Sequence, residues 1–398
     1  MELPTIALLS SGLVPVPPVM GGAVEEYVLQ VTKHLRKLSI SATVVDRLFT
    51  KFNGQSSEGL VKIRSIKMPN FIPKHDVFQE ICFGLASSKE ISKYDLVHVS
   101  TPWVGLSTLK KVNRNRSKFV YTCHNPLWPS EKIHWAEKII RNTESRVMRQ
   151  SNAVIALNET MKKVLHEKAR VPLYKLHLIP NGVDTSFFMP FLDDSIVSEK
   201  YDLDGKRVIL FVGRISSAKD VHVLLKAYKV LLEKRSYKDL KLCIVGPLSA
   251  KFSQGSSNTY AKMVIEMAKR MLPEKSYIFT GAVDKDELRR LFSRSYVFVL
   301  PSHAEAFGLV LLEAMASGCP AIGAAAGGIV DVIQENETGL FFKTGNFLEL
   351  AEKLDVLLLD KSLRRRLSLT CRRVAEREYD WGKIAERLSK LYMEVLYC

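Results

Sequence analysis

No apolar run in this 398-residue chain approaches the roughly 20 residues needed to span a membrane. The opening stretch, MELPTIALLSSGLVPV, lacks the basic segment of a secretory leader and is expected to form a first strand instead. Cysteine is sparse, with six residues (Cys82, Cys123, Cys243, Cys319, Cys371 and Cys398) and no C-x-x-C spacing among them. Three lie in apolar strand-like or helix-adjacent runs, as reduced core cysteines do, which points to a cytoplasmic protein. Internal repeats, low-complexity tracts, zinc-ligand spacings, helix-turn-helix patterns and aromatic–basic nucleic-acid modules are also missing. Those absences matter because the net charge is +16. Such an excess serves nucleic acid, an anionic membrane surface, or anionic substrates. Without a recognition module, nucleic acid is the weakest of the three, and no nucleic-acid partner is expected.

What is present is ordinary for a globular protein: 46% hydrophobic and 25% charged residues. The length exceeds what one core fills, so two domains are expected. Strand-like runs alternate with helical ones almost throughout. A first series comprises residues 5–10, 42–45, 61–66, 96–100, 119–123, 153–157 and 176–180. A second comprises 207–213, 240–245, 277–281, 296–300, 320–323 and 339–342. Strands separated by helices imply parallel, doubly wound sheets with right-handed crossovers. Two such series imply two Rossmann-like α/β domains, with a break near 185–205 where periodicity lapses.

The chain is organised around residues 300–328, LPSHAEAFGLVLLEAMASGCPAIGAAAGG. A short strand delivers a polar loop with His303 and Glu305, and Gly308 then opens an apolar helix. Leu309 to Ala316 holds one charge, Glu313, whose apolar neighbours occupy every side, so the helix is expected to be buried all round. A carboxylate there needs a partner. Glu305 lies where open α/β sheets bind ligands, and the free N–H groups near Gly308 and Leu309 make an anion site. A structural Glu–Arg pair under an ordinary loop explains either glutamate alone, but not the whole constellation.

Glu305, seven intervening residues and Glu313, within EAFGLVLLEAMASGCP, resemble the E-x7-E signature of the family 4 glycosyltransferases. The resemblance spans nearly the whole chain and is strongest from Arg207 to Gly339. It implies the GT-B fold, two Rossmann-like domains facing an interdomain cleft, and a retaining enzyme that uses a nucleotide-diphosphate sugar as donor. Residues 1–190 would form the acceptor domain, 191–379 the donor domain, and 380–398 a last helix packing back on the first.

The resemblance also distributes roles. Glu313 would accept the ribose hydroxyls, and Glu305 would bind sugar hydroxyls and help position the anomeric carbon. Arg214 and Lys219, in a G-R-x-x-x-x-K segment, would join the N–H groups near Gly308 and Leu309 in holding the diphosphate without a metal or other cofactor. Read from charge alone, the two cations stabilise a leaving diphosphate or lie on the surface. The family has glycine after this lysine, and here it is Asp220. Val283 would lie near the base through backbone groups. Gly22, in a P-x-x-G-G segment, would serve the diphosphate at a helix N-terminus, although Val24, Glu25 and Glu26 stand where the family often has arginine. A glycine pair is also simply a tight turn. His124, in an HN pair at a strand end, would hydrogen-bond the sugar or the acceptor, whereas His98 is read as structural.

Asp284-Lys285-Asp286 spells D-x-D, a metal-binding triplet elsewhere, but its position favours a helix cap, and no metal site is expected. LIPNGVD (178–184) is read as hinge architecture, and Arg364 to Arg366 with Arg372 and Arg373 as a solvated helix face. Residues 131–150 have helical spacing. They form either a helix packed on the first sheet, the favoured reading, or an interfacial helix that docks Trp135 and basic residues on anionic lipid at the inner membrane face. Lys110, Lys111, Arg114, Arg116 and Lys118 would extend that face. The PVPPVMGGAVE segment is reminiscent of spore-coat-associated and other surface-polysaccharide members, with glycan or lipid-linked acceptors. A nucleotide-sugar epimerase or phosphorylase on the same fold, and a non-catalytic coat or scaffold protein, stay open as alternatives.

Overall fold

The computed structural model describes residues 4–18, 22–49, 61–69, 75–125, 135–234, 237–247 and 256–397. The chain divides into two compact units, Met1–Asn181 with Trp381–Cys398, and Gly182–Asp380.

Unit 1 runs β1 (Thr5–Leu9), α1 (Ala23–Lys37), β2 (Ser41–Arg47), β3 (Ile63–Ile66), α2 (Asp76–Ile91), β4 (Leu96–Val99), α3 (Pro102–Arg114), β5 (Lys118–Cys123), α4 (Trp135–Gln150), β6 (Ala153–Ala156), α5 (Glu159–Glu167) and β7 (Leu176–Leu178). Its sheet is parallel in the order β3-β2-β1-β4-β5-β6-β7. Strands covered on both faces are near-continuous apolar runs, and β4 and β6 are buried throughout, His98 of β4 being the polar exception.

Unit 2 runs α6 (Ser195–Tyr201), β8 (Arg207–Val212), α7 (Val221–Lys234), β9 (Leu240–Val245), α8 (Ser256–Met271), β10 (Tyr277–Gly281), α9 (Lys285–Arg294), β11 (Val297–Leu300), α10 (Leu309–Ala316), β12 (Ala321–Ala324), α11 (Ile329–Val332), β13 (Gly339–Phe342), α12 (Phe347–Leu359) and α13 (Lys361–Val374). Its parallel order is β10-β9-β8-β11-β12-β13. The order reverses between β8 and β11, and in unit 1 between β1 and β4. Ligands of open α/β sheets bind outside the carboxyl ends of the strands at such points.

The last helix, α14 (Trp381–Tyr397), belongs to unit 1. Trp381, Ile384, Ala385, Leu388, Leu391 and Tyr392 share a buried cluster with Tyr27, Val28, Val31 and Leu35 of α1. The Tyr392 hydroxyl lies 2.6 Å from His98 Nδ1, and Thr122 Oγ1 lies 2.7 Å from Nε2, so His98 ties α14 to the sheet with both ring nitrogens.

The segment 185–205, where periodicity lapses, contains α6, and Phe188 there is buried with its ring edge-on to Phe292. One expectation needs correcting: the α13 arginines are not one solvated face. Arg372 donates to the carbonyls of Thr185, Phe188 and Ala316, and Arg364 stacks 3.7 Å from the centre of the Tyr296 ring. Arg365, Arg366 and Arg373 are exposed.

Candidate functional site

Two loops meet at the reversal point of unit 2. β8 is followed by Gly213 and delivers Arg214, which is exposed. A short 3₁₀ turn then carries Lys219 toward the loop after β11, where its ammonium pairs with the Glu305 carboxylate. Both side chains are mostly covered, at 19% and 15% exposure, so the pair is shielded from bulk water. The residue after Lys219, Asp220, adopts the left-handed conformation (φ 46°). Its carboxylate accepts from His303 Nδ1 at 2.6 Å. Sequence reading placed no role on Asp220 or His303. Its one hint was a non-glycine residue where the turn suits glycine.

The Glu305 backbone is pinned from the far side. Gly328 N–H donates to the Glu305 carbonyl at 2.8 Å, and a Cβ on Gly327 would fall 2.4 Å from that oxygen, so the A-G-G loop can approach only as glycine. Phe307 is buried, and Gly308 turns the chain at φ 88° to start α10. Glu305 Cγ lies 3.5 Å from where a Gly308 Cβ would be, so the carboxylate loop and the helix N-terminus share one small region.

α10 corrects an expectation. Leu311, Leu312, Ala314, Met315 and Ala316 are buried, but Leu309, Val310 and Glu313 are only half-buried. Leu309 and Val310 each lie one turn from Glu313, and the three form a single open stripe beginning at the helix N-terminus. Apolar neighbours on every side signalled full burial, yet among the described residues nothing in unit 2 covers this stripe completely. Glu313 is therefore a partly open group in line with the N-terminal N–H groups.

Val283 follows β10 at the same sheet edge and is half-buried. Next to it Asp284 caps α9, accepting from Glu287 N–H at 2.8 Å. Asp286 receives guanidinium hydrogen bonds from Arg290 and Arg289, which lower its pKa. The D-x-D carboxylates are thus engaged in local structure. Among the described residues no group of three His, Cys, Asp or Glu side chains is arranged to hold a metal.

In unit 1, His124 follows β5 and its ring sits edge-on to Tyr27, 4.8 Å between centres. Burial pushes its pKa down to about 4, so the ring is neutral at physiological pH, and its Nε2 is buried without a partner. An orphaned ring nitrogen at a strand end can take a hydrogen bond from a ligand. Gly22 (φ 97°) starts α1, but that end is already furnished with a carboxylate. Glu25, also buried, binds the N–H and hydroxyl of Ser11, and its Oε2 lies 2.9 Å from where a Gly22 Cβ would be. The structure therefore groups Lys219, Glu305, Gly308, Leu309 and Glu313, with Arg214 and Val283 on the same sheet edge. Gly22 and His124 belong to unit 1.

Two family models match in tandem: "Glycosyltransferase Family 4" over residues 20–187 and "Glycosyl transferases group 1" over residues 194–373. The chain belongs to the family 4 glycosyltransferases. It is 27% identical to spore coat protein SA of Bacillus subtilis, covering 97% of this chain and 98% of that protein. Its fold matches the solved structure of Anabaena HepE in complex with UDP, at 19% identity and TM-score 0.79, over 98% of this chain and 100% of the other. Sucrose-phosphate synthase from Thermosynechococcus elongatus matches at 22% identity and TM-score 0.81, over 98% and 99% of the two chains. The fold is GT-B, and the protein is a glycosyltransferase.

Proposed function

We propose that this glycosyltransferase moves a sugar from a nucleoside-diphosphate donor to a glycan or lipid-linked acceptor, with retention of configuration and without a metal. The observation that carries the reading is the Lys219–Glu305 pair beside the Gly308 helix end at the β8/β11 reversal point. There a cation, a carboxylate and free N–H groups lie within reach of one phosphorylated sugar. Arg214, Lys219 and the N–H groups of Gly308 and Leu309 hold the diphosphate. Glu313, one turn along the open stripe, accepts the ribose hydroxyls. Val283 lies by the base, and Glu305 holds sugar hydroxyls. His124 Nε2, neutral and unpartnered, accepts from a hydroxyl of the sugar or acceptor. Because Glu25 already occupies the start of α1, Gly22 serves the diphosphate through backbone spacing rather than as a charge site.

In the transfer, the acceptor oxygen attacks the anomeric carbon on the face the leaving group departs from. The bond to the β-phosphate oxygen breaks, with its electron pair leaving on the nucleoside diphosphate. The acceptor proton passes to that phosphate oxygen. Arg214 and Lys219 offset the charge that grows there.

The likeness to spore coat protein SA supports a place in surface or spore-coat polysaccharide synthesis. Among the described residues no helix is long and apolar enough to cross a membrane. A peripheral contact with anionic lipid at the inner membrane face is supported by Trp135 and Ile139 of α4, 69% and 47% exposed, and by the +16 charge.

The test is a thermal-shift panel of UDP, GDP and ADP with their sugars, in EDTA. A rise in Tm with one base, abolished in Glu313→Gln at unchanged ligand-free Tm, is the expected result. A shift that appears only with Mg²⁺ overturns metal independence. Silence under all conditions overturns the donor site. Isomerisation of the nucleotide sugar without an acceptor would make the protein an epimerase.

A further inference from the structure

In the free protein Lys219 and Glu305 are each other's partner. In the reaction proposed above, Lys219 goes to the diphosphate and Glu305 to the sugar. Donor binding therefore splits the pair, and the loop loses an ionic contact at the moment Glu305 has to be in place. The trailing half of the loop keeps its anchors, the Gly328 N–H on the Glu305 carbonyl and the buried Phe307. The leading half, His303 and Ala304, is exposed.

We propose that the Asp220–His303 hydrogen bond is a positioning tether, which holds the leading half of the Glu305 loop while Lys219 exchanges a carboxylate for a phosphate. Lys219 and Asp220 are adjacent, and they reach Glu305 and His303, two residues apart, like neighbouring rungs. The donor breaks only the first rung.

The backbone supports the assignment. At φ 46° and ψ 37° Asp220 sits in the left-handed region, where glycine fits without steric cost and aspartate is among the few other residues that settle. The side chain placed there is mostly buried, at 13% exposure. As an acceptor-only group it requires His303 Nδ1 to carry the proton, which fixes the ring's orientation. Its second oxygen lies 3.8 Å from His222 Nδ1, and that nitrogen lies 2.8 Å from the Tyr260 hydroxyl. Asp220 is thus wedged between two imidazoles and has little freedom to swing toward a ligand.

The tether rests on the donor-site reading, and one calorimetric experiment separates the two. Full-length protein is titrated with UDP and UDP-glucose, GDP and GDP-mannose, and ADP and ADP-glucose, as wild type, Asp220→Gly and Asp220→Asn. Glycine keeps the left-handed turn and removes the tether, whereas asparagine keeps both the turn and an acceptor oxygen. In Asp220→Gly the expected result is an unchanged or raised Tm and a nucleoside-diphosphate Kd within twofold of wild type. The Kd for the matching nucleotide sugar is weakened about tenfold, and Asp220→Asn restores it. Equal affinities in all three proteins overturn the tether. So does an asparagine variant no better than glycine, or a glycine variant that loses Tm and both affinities together, which marks a structural contact only. Wild-type protein that binds none of the six ligands overturns the donor site itself and the tether with it.

Discussion

In the proposed reaction Lys219 carries two tasks with one atom. Its ammonium neutralises Glu305 in a mostly covered position, so removing it leaves a carboxylate without a counter-charge. Lys219→Met is expected to destabilise the protein by about 1–3 kcal/mol, read in urea melts, and to abolish nucleoside-diphosphate binding. Adding Glu305→Gln should recover most of the stability and none of the binding. A double variant as unstable as the single one would mean that the pair is not the source of the loss. Asp284 offers the complementary case, a charge that caps its own helix. Asp284→Ala should cost about 1 kcal/mol through the lost cap, with nucleotide affinity in EDTA unchanged; an affinity loss restored by Mg²⁺ would return the D-x-D to metal binding.

Among the elements, β5 and α4 enclose a carboxyl whose titration is coupled to folding. Glu144 accepts from the Tyr121 hydroxyl at 2.9 Å, and burial raises its pKa to about 7. The folded protein therefore binds this proton more tightly than the unfolded chain does. The associated stability is full below the ordinary glutamate range and is lost as pH rises through about 7. Glu144→Gln, permanently neutral and still able to accept from Tyr121, should gain on wild type by on the order of 2–3 kcal/mol between pH 4.5 and pH 8. A difference independent of pH would show that Glu144 is already ionised in the fold. The strands themselves were legible because a parallel strand covered on both faces has to be a short continuous apolar run, and VILFV, LCIV and VFVL announce themselves. The same logic failed for α10. Its composition matched that of the strands, but exposure of the Leu309–Glu313 stripe depends on what else lies over it, and no local pattern encodes that. Asp220 and His303 are 83 residues apart in sequence, so no periodicity could join them, and Arg372 looked solvated because three of its acceptors are backbone carbonyls.

For the whole molecule, the decisive connection is the return of the chain to unit 1. α14 supplies Trp381, Ile384, Leu388 and Leu391 to a core that otherwise consists of residues before Asn181. Deleting residues 381–398 is expected to uncover that apolar cluster and drive the truncated protein into the insoluble fraction. Recovery as a soluble protein with wild-type amide-exchange protection in β1 and β4 would show that unit 1 does not need the helix. Tyr392→Phe is the milder form, expected to cost about 1 kcal/mol by leaving His98 Nδ1 unsatisfied. The arrangement also sets an order of events during synthesis. The part of unit 1 before Asn181 emerges from the ribosome ahead of unit 2 and waits for residues 381–398 before its core can close, while unit 2, uninterrupted in sequence, has all its parts earlier. The half of the protein made first is the half completed last, and its apolar surface needs protection, from a chaperone or from slow translation, for the length of the intervening unit.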